Sequence, residues 1–167
     1  EINQILDEQI DTSLKEFNRS NIGLFISSFS AGLEISFSII LMGAVYKLYA
    51  GNINQEALTL ALAFCYPVGF IFVIIGRSEL FTENTALAIL PVLNGSVKIS
   101  NLLGLWGIVY TGNIIGGLVS ALLLTFIGVE IGFIDNDSFS YMSHKLIDHQ
   151  WYVIFFSAIL AGWMMGL

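Results

Sequence analysis

The chain has 167 residues, 56% of them hydrophobic and only 11% charged, about half the charged share of a soluble domain. Its mean hydropathy is +0.80, and its apolar runs are long enough to cross a hydrocarbon layer, which takes about 20 helical residues. A net charge of −7 excludes a basic face for nucleic acid, and a single cysteine, Cys65, excludes a disulfide framework or a cysteine-rich metal cluster. These features define an all-α integral membrane protein with no cofactor expected. The acidic, polar start, with no short basic region before an apolar core, gives no expectation of a cleavable signal peptide. The chain begins at Glu1 and its last apolar run has no flanking loop, so it is expected to be the front part of a longer protein.

In residues 1–20, Ile2, Ile5, Leu6, Ile10, Leu14 and Phe17 recur at helical spacing. They predict an amphipathic helix lying on the membrane surface, or alternatively a soluble helix packing on a partner. The transmembrane domain is expected over 21–167, with a first span at 22–48. That span is rich in serine and other small residues that let helices approach closely, and carries Glu34 near its middle. A carboxylate there faces the bundle interior or water. It reads either as a pore-lining, proton-exchanging acid or as a hydrogen-bonded packing residue.

The second span is expected at 57–75, kinked at Pro67 because proline takes the N–H partner from the Ala63 carbonyl. Gly76 to Asn84, GRSELFTEN, then interrupts the apolar pattern. Gly76 is expected to supply the non-helical turn and Thr82 to cap a half-helix over 83–90, which Pro91 closes by excluding helical geometry at Leu90. Backbone leaving a helix inside a bilayer is tolerated where protein buries it or where it lines a cavity. Transporters place their sites at such breaks, so this one is the leading candidate site.

A third span is expected at 102–127, with Gly112 and Gly116 forming a close-packing face beside Asn113. Asn113 makes an interhelical hydrogen bond or forms a wall of the pathway. Residues 128–150 read as a polar loop whose His144 and His149 have no matching metal ligands. The fourth span, 151–167, has a second small-residue face at Gly162 and Gly166. Lys15, Arg19 and Lys98 would share one side of the membrane and Lys47 and Lys145 the other, which places the N-terminus in the cytoplasm.

The run GRSELFTEN, with Trp106, then Gly112-Asn113 and Gly116, resembles the formate/nitrite transporter family, and the closing AILAGWMMGL looks closest to its YfdC-like branch. The resemblance spans roughly residues 20–167. It implies an aquaporin-like, six-span helical bundle built from two inverted three-span repeats, assembled as a homo-pentamer with a pore in each protomer. This chain would then be the N-terminal part of that fold. The resemblance puts Glu79, Leu80, Phe81 and Thr82 in the loop that interrupts the second span. Leu80 matches a residue of the inner constriction, Thr82 the threonine facing the central chamber, and Tyr66 with Phe70 the apolar pair of the outer constriction. One helical turn apart, Tyr66 and Phe70 can also face one pathway on spacing alone. Three departures stand out. The family's central histidine belongs to the fifth span, and neither His144 nor His149 replaces it. Glu83 stands where formate channels carry a small residue, and Lys145 is one position off the lysine before the fourth span.

The expected function is a channel or transporter for a small monocarboxylate or inorganic anion, or its neutral acid, such as formate or nitrite. It would act in the inner (plasma) membrane, with a solute path along Tyr66, Phe70, Glu79, Leu80, Phe81, Thr82, Glu83 and Asn84. A rival transport reading makes Glu34 or Glu83 a proton-coupling acid for another small solute. A different class of reading is a non-conducting scaffold or sensor subunit. There is no HExxH motif, no nucleophile elbow and no Cys/His pair at catalytic spacing, so an enzyme is not expected.

Overall fold

A computed structural model describes residues 2–165; Gly166, part of the expected small-residue face, and the side chain of Ile2 lie outside the described residues. Helix α1 (Ile2–Phe17) leads to α2 (Asn21–Tyr49), whose start is fixed by the Ser20 hydroxyl accepting the Gly23 N–H at 3.2 Å. Asn54 does the same for α3 (Gln55–Cys65), accepting the Ala57 N–H at 2.7 Å. After Tyr66 and Pro67 come α4 (Val68–Gly76), α5 (Phe81–Ala88) and the single turn α6 (Leu90–Leu93). Helix α7 (Ile99–Leu123) runs on into a π-helical turn, Leu124–Gly128, followed by α8 (Asn136–Ile147) and α9 (Trp151–Met165).

Three rods, Asn21–Tyr49, Gln55–Gly76 and Ile99–Gly128, are apolar and 29, 22 and 30 residues long. At about 1.5 Å per residue each reaches across a hydrocarbon layer of about 30 Å. The chain is an all-helical membrane protein.

The α2–α7 pair is the axis of the fold. Ser28 lies against Gly112 and Gly32 against Gly116, so the two helices run in the same direction. Their backbones touch: a Cβ on Gly116 would stand 2.2 Å from the Phe29 carbonyl oxygen, and one on Gly32 would stand 2.4 Å from that of Asn113. Contact this close between membrane helices needs residues without side chains. Helix α4 also packs closely on α2, where a Cβ on Gly69 would meet the Ile35 carbonyl oxygen at 2.6 Å. Toward the N-terminal ends of α2 and α7, Leu24, Ala88, Leu102, Leu105 and Val109 form a buried cluster.

Helix α1 docks beneath α5 and α6. Ile10 is buried, and the Ser13 hydroxyl lies 2.9 Å from the Leu87 carbonyl oxygen, while Ile5 and Leu6 of the same stripe stay exposed. Helix α9 meets the bundle at α5, yet every residue from Trp151 to Met164 is exposed.

Two expectations are corrected. Residues 128–150 are not a loop throughout, because α8 occupies their middle. Asp135 caps it by accepting the Ser138 N–H at 2.8 Å, and the hydroxyl of Ser138, also bonded to Asp135, holds that carboxyl below its ordinary pKa. Buried Ile134, Ser138 and Met142, one helical turn apart, then press α8 onto Gly43 of α2. Pro91 does not end the half-helix either. It occupies the first turn of α6, where its missing N–H costs nothing and its φ suits a helix, so Leu90 is helical and the apolar piece extends over Phe81–Leu93.

Candidate functional site

The break between α4 and α5 lies inside the bundle, level with Ser27, Ser28 and Glu34 of α2 and with Asn113 midway along the α7 rod. Helix α4 closes at Arg77, which is left-handed (φ 52°, ψ 40°), and the Ser78 N–H donates back to the Val73 carbonyl at 3.2 Å. The sequence had assigned this turn to Gly76, but Gly76 is the last helical residue. Its missing side chain serves another purpose. A Cβ there would stand 3.1 Å from Glu34 Oε1, and the Glu34 carboxylate accepts a hydrogen bond from the Ser78 hydroxyl. Glu34 therefore braces the break.

Asn113 carries the rest of that task. Its Nδ2 donates to the Glu79 carbonyl at 2.9 Å and to the Ser28 carbonyl at 2.8 Å, and its Oδ1 accepts the Phe81 N–H at 2.8 Å. The Glu79 N–H meets the Ser27 hydroxyl at 3.2 Å. One amide thus pairs with extended backbone much as a neighbouring strand would. It also corrects the expected start of the half-helix. Leu80, extended at φ −93° and ψ 130°, occupies the N-cap position in place of Thr82, and has no side-chain cap bond. Asn113 supplies from α7 the acceptor a capping residue would have provided. Thr82 sits exposed in the first turn of α5.

Glu79 is mostly shielded and doubly held. It accepts from Arg19 at 2.9 Å and from the buried Asn84 amide, while Arg19 also reaches Glu16 at 2.8 Å. A cleft of about 200 Å³ opens beside it, lined by Ser13, Arg77, Leu80, Glu83 and Asn84 among others. Of the predicted residues, Glu79, Leu80, Glu83 and Asn84 meet there. Phe81 turns instead toward α7, edge-on to Trp106 at 6.2 Å and Tyr110 at 5.3 Å. Among the described residues the buried Trp106 Nε1 has no hydrogen-bond partner.

Nearer the far end of α2, the Tyr66 and Phe70 rings lie 5.9 Å apart. Tyr66 also lines a mostly apolar cleft of about 460 Å³ between α2, α3 and α8, at whose edge stands Lys145. Between those rings, where the sequence predicts a kink, the helix is interrupted at Tyr66 and Pro67. Ser38 of α2 bridges the gap: its hydroxyl donates to the Tyr66 carbonyl at 2.5 Å and accepts the Gly69 N–H at 2.8 Å.

A model of the formate/nitrite transporter family matches residues 3–167 of the chain. The chain belongs to the formate/nitrite transporter family. It is 30% identical to the inner membrane protein YfdC of Escherichia coli over 91% of its own length and 48% of that protein's. It is 28% identical to the formate channel FocA of Haemophilus influenzae over 93% of the chain and 55% of that protein. Against the nitrite transporter NirC of Salmonella typhimurium the identity is 25%, over 87% of the chain and 53% of the relative. The chain thus spans about half the length of the curated relatives it matches.

Within this transporter-family chain, sequence reasoning missed Arg19, Ser27 and Ser38 as parts of the site. The serines stand out only as small residues in an apolar helix. Nothing along the sequence says which of them faces a broken backbone rather than lipid.

Proposed function

We propose that this chain forms the first half of a membrane channel or transporter for small monovalent anions or their neutral acids, of the size of formate or nitrite. The observation that carries the reading is the break between α4 and α5, held inside the bundle by Asn113 with a cleft beside it. Non-helical backbone at that depth is tolerated where protein buries it or where it lines a cavity, and transporters place their sites at such breaks. The fuller proposal is a six-span, aquaporin-like fold of two inverted repeats in a pentamer, with residues 1–20 as a docked amphipathic segment and 21–167 inside the transmembrane domain. It includes an inner-membrane location with a cytoplasmic N-terminus. Tyr66 and Phe70 form the outer constriction and Leu80 the inner one. Between them, Thr82 and the N-terminal dipole of α5 offer hydrogen bonds to a carboxylate-sized solute.

One observation favours a second reading, proton-coupled transport. Glu34 and Glu79 are engaged in hydrogen bonds, whereas Glu83 stands exposed in the cleft at the first turn of α5. Flux of formate, acetate and nitrite into liposomes holding the intact protein tests both. Flux above that of empty liposomes is expected, and its absence for every solute overturns the channel reading. In Glu83→Gln, faster anion flux with unchanged pH dependence favours the channel, and loss of the pH dependence favours proton coupling.

A further inference from the structure

The kink at Pro67 has a consequence for the constriction it separates. Proline removes the N–H that would pair with the Ala63 carbonyl. The disruption spreads further, because the helix is interrupted over Tyr66 and Pro67. The Tyr66 carbonyl and the Gly69 N–H, on either side of the interruption, both turn to a side chain of α2. A backbone group left unpaired in apolar surroundings costs about 1–3 kcal/mol. Both groups converge on one atom, the Oγ of Ser38, which is 3% exposed. A Cβ on Gly69 would stand 2.7 Å from that same oxygen, so glycine there lets the kink seat against it.

We propose that Ser38 is a specificity-setting positioning residue: by bridging the Tyr66 carbonyl and the Gly69 N–H across the Pro67 kink, it fixes the separation of the Tyr66 and Phe70 rings and hence the largest solute that passes between them. Tyr66 precedes the kink and Phe70 follows it, so any change of the kink angle moves one ring relative to the other. No other side-chain bond holds the backbone at this bend among the described residues. The hydroxyl is suited to the task because it donates and accepts at once, which neither alanine nor a one-way donor can do. This inference rests on the reading of Tyr66 and Phe70 as the outer constriction.

The test uses the intact protein in liposomes, with formate, acetate and propionate as a size series, in the wild type, Ser38→Ala and Ser38→Thr. Ser38→Ala is expected to raise propionate flux relative to formate several-fold, while Ser38→Thr, which keeps the hydroxyl, stays close to the wild-type ratio. An unchanged ratio in Ser38→Ala overturns the proposal. Tyr66→Ala and Phe70→Ala separate it from the reading beneath it: if neither alters the size series, the constriction is misassigned, whatever Ser38 does. Amide exchange across residues 66–72 in detergent gives a readout that does not depend on conduction. Loss of the bridge is expected to speed exchange there about fivefold or more in Ser38→Ala and not in Ser38→Thr. Equal exchange in all three proteins removes the bridge and the proposal with it.

Discussion

At Asn113 three hydrogen bonds are made by one amide, and each goes to a backbone group rather than to a side chain. Asn113→Ala would leave the Glu79 carbonyl and the Phe81 N–H unpaired where water does not readily reach them. The expected loss is about 2–6 kcal/mol, taking about 1–3 kcal/mol for each of the two orphaned groups. Asn113→Asp keeps the acceptor for Phe81 but loses both donors and adds a charge, so it should be at least as damaging. Thermal unfolding of the three proteins in one detergent checks this, and a wild-type melting temperature in either variant would remove Asn113 from its role. The sequence singled Asn113 out as either a hydrogen-bonding residue or a wall of the pathway. Its partners were hidden because they are backbone atoms, which leave no mark in composition. Gly76 and Arg77 mislead for a related reason. Glycine is the cheaper left-handed residue, yet here its bare α-carbon makes room for the Glu34 carboxylate and the turn passes to its neighbour.

Among the elements, the α2–α7 contact offers a comparison between adjacent residues. Gly116 faces α2, where a Cβ would sit 2.2 Å from the Phe29 carbonyl oxygen, whereas a Cβ on Gly117 would meet nothing within 4 Å. Gly116→Ala must push two backbones apart, at an expected cost of about 1–3 kcal/mol or more, as for overpacked interiors generally. Gly117→Ala relieves a glycine inside a helix and should be neutral or stabilising by up to about 1 kcal/mol. Equal melting temperatures for the two variants would mean that the close approach does not hold the pair together. The GxxxG spacing made this contact legible, and the long apolar runs marked the three rods to within a few residues. Helix α8 was not legible in the same way. Its segment is rich in Asp, Ser and His, and only three positions, Ile134, Ser138 and Met142, bury against the end of α2. The rim of the bundle stabilises a helix that its own composition barely suggests.

For the whole molecule, the parallel course of α2 and α7 makes a topological demand. The chain leaves α2 at one end and enters α7 at the other, so residues 55–93 must cross the membrane once between them, despite the kink at Pro67 and the break after Gly76. A rod of 22 residues could do so alone, and Phe81–Leu93 would then continue beyond the apolar layer. The hydrogen bonds argue otherwise: the break is level with Ser27 and Ser28 of α2 and with Asn113 of α7, in the interior of both rods. The apolar layer must therefore extend along α5 and α6 to the level of Leu102. Cysteines placed in a Cys65→Ala background test this demand with a membrane-impermeant maleimide. Asn52→Cys and Ser140→Cys, both exposed, should label from one side and Ser96→Cys from the other. A cytoplasmic N-terminus places Ser96 inside, because α1 and the turn after α6 lie at the same end of the bundle. Labelling of Ser96 and Asn52 from one side would mean that the interrupted helix dips into the membrane and returns. The break would then sit at the bottom of a loop rather than along a path from one face to the other, and the solute route through Tyr66, Phe70 and Leu80 would have no exit.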